Sequence, residues 1–325
     1  MNVRTGSAAA VLAAIGAAVL WGTTGTAQAL GPDSSDPAAV GAARILLGAL
    51  VLILLSGSSW RRVAVPDPRC GPEAGGAGPA GHTRRGFLSR LPRPALVALG
   101  GLTVAAYQAC FFLGVARTGV AVGTVLALGV APLATGLLGL GLGERPSRRW
   151  MVATAGAIVG VVLLVTGSAP GGHGVDVLGV TAALGAGVSY AGYTIAARAL
   201  LVRGERGLPV MASFFTLGAL LLAPSLLLAD LGWLATPSGL FMVAWLGLVA
   251  TGLSYVLFQH GLARLPAGTV ATLSLAEPLT ATVLGVLVLR EQLSGLTAAG
   301  IAVVVLSLSV VAVRRRPRPV VPQPV

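Results

Sequence analysis

The sequence predicts an all-α, polytopic membrane protein with ten transmembrane helices in two inverted five-helix repeats. Three observations carry that expectation. Of the 325 residues, 55% are hydrophobic and only 10% charged, with a mean hydropathy of +0.88, far from the balance of a soluble domain. The apolar residues gather into ten runs, each near the roughly 20 residues a helix needs to cross about 30 Å of hydrocarbon. The second half of the chain also echoes the first.

The first run is Ala8 to Leu30. It ends in Ala27-Gln28-Ala29, which mimics a signal-peptidase site behind the lone Arg4, but it is long for a signal core and has an internal counterpart, so it reads as a span. The second run, Ala38 to Leu55, follows Asp33, Asp36 and Pro37. The chain then turns Gly-, Pro- and Arg-rich over residues 57–93, the composition of a disordered connection. Runs three to five are Pro94 to Ala116, Gly119 to Leu142 with Pro132 inside it, and Trp150 to Thr166. The second half gives Val177 to Ala197, Pro209 to Ala229, Leu240 to Phe258, Gly268 to Leu289 with Pro278 inside it, and Leu296 to Val313. A basic, proline-rich tail closes the chain. The expected units are therefore 1–170, 171–313 and the tail 314–325.

The formal charge of +12 raises the question of a nucleic-acid partner, so the placement of the arginines matters; there is no lysine. Arg61, Arg62, Arg69, Arg84, Arg85, Arg90 and Arg93 fall between runs two and three. Arg145, Arg148 and Arg149 fall between four and five, and Arg198, Arg203 and Arg206 between six and seven. The alternate connections carry Asp33 and Asp36, Arg117, Asp176, Asp230, and Arg290 with Glu291. Basic residues concentrated in every second connection are a topological signal, and the positive-inside rule then puts both termini in the cytoplasm, with the chain in the cell membrane. Cys70 and Cys110 sit in unrelated places and make no metal framework.

Self-comparison aligns Ala13-Ala-Ile-Gly-Ala-Ala-Val-Leu-Trp21 with Ala182-Ala-Leu-Gly-Ala-Gly-Val-Ser-Tyr190. It also pairs Phe111-Phe-Leu-Gly-Val-Ala-Arg117 with Phe258-Gln-His-Gly-Leu-Ala-Arg264. Gly123-Thr-Val-Leu-Ala-Leu-Gly-Val-Ala-Pro132 matches Gly268-Thr-Val-Ala-Thr-Leu-Ser-Leu-Ala-Glu-Pro278, the second copy carrying one extra residue, placed as Glu277. Five spans per copy is an odd number, so the copies enter the membrane from opposite sides and are inverted.

At this point the chain resembles the EamA family of the drug/metabolite transporter superfamily. The residues that carry the likeness are the two proline-centred helices, Gly143-Glu144-Arg145-Pro146-Ser147, Leu289-Arg290-Glu291-Gln292-Leu293-Ser294, Pro37-Ala-Ala-Val-Gly-Ala-Ala-Arg44 and Leu275-Ala-Glu-Pro278. Where the family shows Gly-Glu after the second proline-containing helix, this chain has Arg290-Glu291. The resemblance implies two inverted repeats and secondary transport, commonly export, of small metabolites such as amino acids.

Glu277 lies nine residues in from Gly268, roughly 14 Å deep at the helical rise and close to the midplane. An ionised carboxylate there costs about 2.5–3.5 kcal/mol or more on insertion scales, so it must face a cavity, find a partner or stay protonated. It is a candidate for proton coupling, or else a structural residue capping groups freed by Pro278. Arg44, about 10 Å deep at the same rise, can neutralise a substrate carboxylate or Glu277, or bond helix-end carbonyls. Trp21 with Thr23 and Thr24, Tyr107 with Gln108, Ser189 with Tyr190 and Tyr193, and Tyr255 with Gln259 fall near the middles of runs one, three, six and eight. They suit either interhelical packing or a pocket for a small amphipathic molecule. His260 is expected only to be hydrogen-bonded, and Gly139-Leu-Gly-Leu-Gly143 and Gly156-Ala-Ile-Val-Gly160 to let helices approach.

These features favour a transporter exporting small metabolites by alternating access, with protons as the coupling partner; the alternatives are a multidrug or toxic-compound efflux carrier and an uncoupled exchanger. No His-Glu-x-x-His site or Gly-x-Ser-x-Gly elbow argues for an enzyme, and without lysine the chain has no Walker A motif. Neither a cofactor nor a metal is expected. A channel is the remaining different class.

Overall fold

The computed structural model describes residues 3–60, 87–168, 176–290, 292 and 294–313. Most of the expected disordered connection, with Cys70, lies outside the described residues, as do Glu291, Leu293 and the tail from 314. The helices are α1 (Val3–Ala29), α2 (Pro37–Ser56), α3 (Arg93–Gly139), α4 (Arg148–Ser168), α5 (Val177–Leu201), α6 (Gly207–Leu228), α7 (Pro237–Ala244), α8 (Ser254–Leu262), α9 (Ala267–Leu273), α10 (Ala276–Leu287) and α11 (Gly295–Ala312). Among the described residues, nine segments are long and apolar enough to cross a membrane. The tenth expected span is α5, whose 25 residues give about 37 Å at the helical rise. Its apolarity is diluted by Ser189, Tyr190, Tyr193 and Thr194, all buried against other helices rather than presented outward.

Local chemistry sets the helix ends. Asp36 caps α2 through the backbone N–H of Ala38, with Pro37 in its first turn, and Ser294 caps α11 through Thr297. Asp176 caps α5: the backbone N–H of Gly179, with help from Arg117 3.4 Å away, holds its carboxyl below the usual carboxylate range. That contribution to stability is present above the ordinary carboxylate range and fades as pH falls through the lowered value.

At three places the spans differ from the plain helices expected of them. Runs three and four, together α3, are two helices that meet at Gly119 with no loop between them, where a non-helical φ of 82° suits a residue without a β-carbon. Run eight contains a π-helical stretch, Trp245–Leu253, between α7 and α8. Run nine is broken between α9 and α10, where Leu275 N–H bonds Thr272 O and Glu277 N–H bonds Ser274 O, both three residues back.

The duplication supplies the reason for the second. A β-carbon on Gly114 would stand 2.9 Å from Ala183 N, and one on Gly261 would stand 3.0 Å from Ala14 Cβ. Under the register that pairs Phe111 with Phe258 and Ala13 with Ala182, these are one contact made twice. Gly16 against Leu257 repeats Gly185 against Cys110 in the same way, and Gly160 against Val304 mirrors Gly300 against Leu164. The register holds for Gly218 on Val104 and Gly48 on Thr251, but slips by one residue between there and the paired contacts of Gly101 with Leu217 and Gly247 with Leu47. The second copy has one extra residue in that interval, and the wide π turn absorbs it. Run nine breaks at Ser274 and Leu275, just ahead of Glu277, where the alignment puts the extra residue of the second copy. In lipid the apolar effect does not drive helices together, so these glycine-lined approaches supply dispersion contact instead.

Arg290 has φ of 60°, the left-handed region, where Gly143 has 84° in the first copy. A side chain there costs about 1–2 kcal/mol, part of which glycine returns through its freer unfolded chain. Arg290→Gly is therefore expected to stabilise the protein by about 0.5–1 kcal/mol, read as a higher midpoint in thermal unfolding in detergent.

Candidate functional site

Six spans send one or two side chains each to a common centre. Trp21 comes from α1, Arg44 from α2, Tyr107 and Gln108 from α3, Tyr190 and Tyr193 from α5, Tyr255 from α8 and Glu277 from the first turn of α10. The break in run nine makes the last placement: it starts a new helix at Ala276 in the interior, and close approach there is allowed because a β-carbon on Gly22 would lie 2.6 Å from Glu277 O.

The aromatic wall is continuous. Trp21 lies 5.2 Å from Tyr255, 5.4 Å from Phe258 and 6.5 Å from Tyr190 between ring centres. Tyr190 meets Tyr193 edge to face at 5.1 Å, and Phe215 closes on Tyr255 at 4.3 Å. These spacings fall in the favourable range for ring pairs. Each polar tip is tied down: Trp21 Nε1 donates to Ser254 Oγ at 2.9 Å, Tyr190 and Ser274 hydroxyls lie 2.8 Å apart at the helix break, and Tyr193 and Tyr255 hydroxyls 3.1 Å apart.

The charged part is different. Gln108 Nε2 donates to Gly41 O at 3.2 Å while its Oε1 accepts from Arg44 Nη2 at 3.1 Å. Gln108 can reach that carbonyl because position 41 has no side chain; a β-carbon there would meet the Phe112 ring at 2.3 Å. Arg44 is thus held by one hydrogen bond, and its Nε is buried with none. Glu277 is half-buried, lies within electrostatic reach of Arg44, Tyr107, Tyr190 and Tyr255, and among the described residues its carboxylate accepts no hydrogen bond and forms no ion pair. Ion pairs join Arg93 with Glu205, Arg117 with Asp176 and Arg198 with Glu144 instead. A cation and an anion thus face one centre with unused bonding capacity, inside an aromatic enclosure.

Two expected residues stand apart. Gln259 donates to Val256 O at 3.0 Å, one turn back, and lines a separate cavity of about 250 Å³ with Ser56, Ser59 and Arg206 at the basic end. Pro132 lies in unbroken helix, unlike Pro278, which follows a true break. Thr23 serves packing, accepting from Trp245 Nε1 at 2.9 Å, and His260 contacts Arg264 through Nδ1 at 3.0 Å. Sequence reading did not single out Phe215, Ser254 or Ser274. Phe258 was visible only as a partner of Phe111 in the repeat, and Ser274 as the residue standing where the first copy has Gly129.

A bundle of paired spans around a central polar and aromatic site, with no further domain among the described residues, defines a polytopic membrane carrier. The EamA-like transporter family model matches residues 8–166 and again 177–313, and the chain belongs to that family. It is 40% identical over 301 residues to the uncharacterized transporter YwfM of Bacillus subtilis (strain 168), covering 92% of each chain. The uncharacterized protein PA1977 of Pseudomonas aeruginosa is 31% identical over 207 residues, 62% of this chain and 69% of that one. A solved crystal structure, 24% identical, superposes with a TM-score of 0.72 over 93% of this chain and 95% of its own, and speaks for the fold alone. The protein is a multi-pass membrane transporter.

Proposed function

We propose that the protein exports small amphipathic metabolites, such as amino acids and related compounds, across the cell membrane in exchange for protons. The units 1–170 and 171–313 rock about the central site, and both termini are cytoplasmic. The observation that carries this reading is the pairing of Arg44, with its unbonded Nε, and Glu277, with its unbonded carboxylate, beside the rings of Trp21, Tyr190 and Tyr255. A small molecule with an acidic group and an apolar body satisfies the arginine and covers the rings. Glu277 carries the proton inward when the substrate has left. The cytoplasmic placement of the termini is supported by the arginine-rich connections, and rocking by the inverted repeats around a shared centre.

The test has two arms. Comparing intracellular and extracellular metabolite pools with and without the protein names the cargo through the pool that shifts. That compound, labelled and loaded into proteoliposomes, is then expected to show counterflow, transient uphill movement of label driven by unlabelled compound on the other side. A channel shows none, and flux without counterflow overturns the carrier reading.

A further inference from the structure

The two copies are alike in sequence but not in packing, and the difference describes a gate. In the repeat register the last turns of α1 correspond to the last turns of α5, at opposite ends of the bundle. Thr194 has no exposed surface, whereas its counterpart Gly25 is exposed, with open space around the position of a β-carbon. Ala199 and Leu200 are fully buried, whereas their counterparts Leu30 and Gly31 are 59% exposed and half-buried. The bundle is therefore closed at the basic end and open at the other.

At the closed end one carboxylate joins the first copy to three pieces of the second. Gly143, with its left-handed φ, ends the proline-containing helix and turns the chain so that Glu144 points inward. Glu144 Oε1 meets Arg198 Nε at 2.8 Å, and Glu144 Oε2 accepts the backbone N–H of Ala267 at 2.7 Å, at the start of α9. Arg198 Nη1 in turn donates to Leu262 O at 2.9 Å and Ala263 O at 3.1 Å, at the end of α8. Both charged side chains are mostly buried, at 15% and 19% exposure, so these charge-assisted bonds are little screened by salt. Opening the basic end requires α5, α8 and α9 to part from the first copy, which breaks both bonds of Glu144, while the bonds of Arg198 to the end of α8 lie within the second copy and hold the guanidinium in place. The arginine has no equivalent at the open end, where the register puts Ala29.

We propose that Glu144 and Arg198 form a one-sided latch that sets the resting state: the site opens away from the basic face until the latch yields, and among the described residues the ion pair at the opposite end is the longer and more exposed one of Arg117 with Asp176. The latch rests on the alternating-access reading for its consequence in transport. Its own test reads the gate alone.

In a background with Cys70 and Cys110 replaced by alanine, single reporters Gly25→Cys and Thr194→Cys are reacted with a hydrophilic maleimide in nanodiscs, where reagent reaches both faces. The expected result is fast labelling of Gly25→Cys and protection of Thr194→Cys. Adding Glu144→Gln or, separately, Arg198→Gln is expected to speed Thr194→Cys labelling at least tenfold and slow that of Gly25→Cys. Equal protection of Thr194→Cys with and without either latch substitution, in protein that elutes as a single folded species, overturns the proposal. So does a rise at both reporters together, which marks loosened packing rather than a shifted gate. Counterflow measured on the same latch variants separates the two readings: a shifted gate with counterflow still present supports the latch, and absence of counterflow in the unsubstituted protein refutes transport without touching the labelling result.

Discussion

Replacing Glu277 by glutamine is expected to abolish proton-driven accumulation while leaving exchange intact. With a pH step of about one unit, a proton moved per substrate is worth about 1.4 kcal/mol, enough for about a tenfold concentration ratio. In the Glu277→Gln protein that ratio is expected to fall to about one, because glutamine keeps the shape and the hydrogen-bonding oxygen but neither gains nor loses a proton. Counterflow, which needs only the movement of a loaded site, persists. The competing role for Glu277, capping groups freed by Pro278, predicts loss of folded protein instead. Its carboxylate accepts no hydrogen bond among the described residues, and its own N–H is already satisfied by Ser274 O. Glu205→Gln is the control: that carboxylate pairs with Arg93 at the basic end, outside the central site, and its loss is expected to leave the ratio unchanged. Accumulation that survives Glu277→Gln sinks the coupling role.

The parts of this architecture that were legible in the sequence are those written in single residues. An acidic residue in an apolar run, a proline beside it, and a five-span unit copied in order announce a duplicated bundle with a charged centre, because each is expensive in a membrane unless the fold uses it. Arg44 and Gln108, 64 residues apart in the chain, could be nominated separately, but not their mutual bond. Gln259 shares a helix face with Tyr255, four residues back, but lies one turn nearer the basic end, where it bonds Val256 O and lines the separate cavity, and that depth was not legible in the sequence. The π stretch and the break in run nine were legible only in part. An insertion of one residue is visible in an alignment, but not that a helix widens to hold it, as in Trp245–Leu253, and the three-residue turns at Ser274 and Leu275 leave no mark in the apolar pattern. The latch was the least legible. Glu144 stood in the sequence as part of a family-like turn, and Arg198 as one of many basic loop residues, yet the pair is mostly buried and bonded. Charge counting assigns such an arginine to topology alone.

Gly25→Trp is expected to leave the protein folded and stable yet nearly inactive. In the state described here position 25 meets nothing within 4 Å, so a large side chain has room and the change in thermal stability should stay within about 0.5 kcal/mol. Under the alternating access proposed above, closing the other end of the bundle makes the last turns of α1 pack as those of α5 do now, where Thr194, at the corresponding position, has no exposed surface. A tryptophan at position 25 then overpacks that closed state by about 1–3 kcal/mol. At about 1.4 kcal/mol per factor of ten, its population, and with it the turnover, falls between about fivefold and 150-fold. Gly22→Ala is the opposite case on the same helix. A β-carbon there strikes Glu277 O at 2.6 Å and the Thr280 side chain, so it is expected to lower thermal stability in the state already observed. Thermal unfolding and counterflow on the two variants separate a clash with the resting state from a clash with its alternate. A Gly25→Trp protein that transports normally contradicts closure at α1.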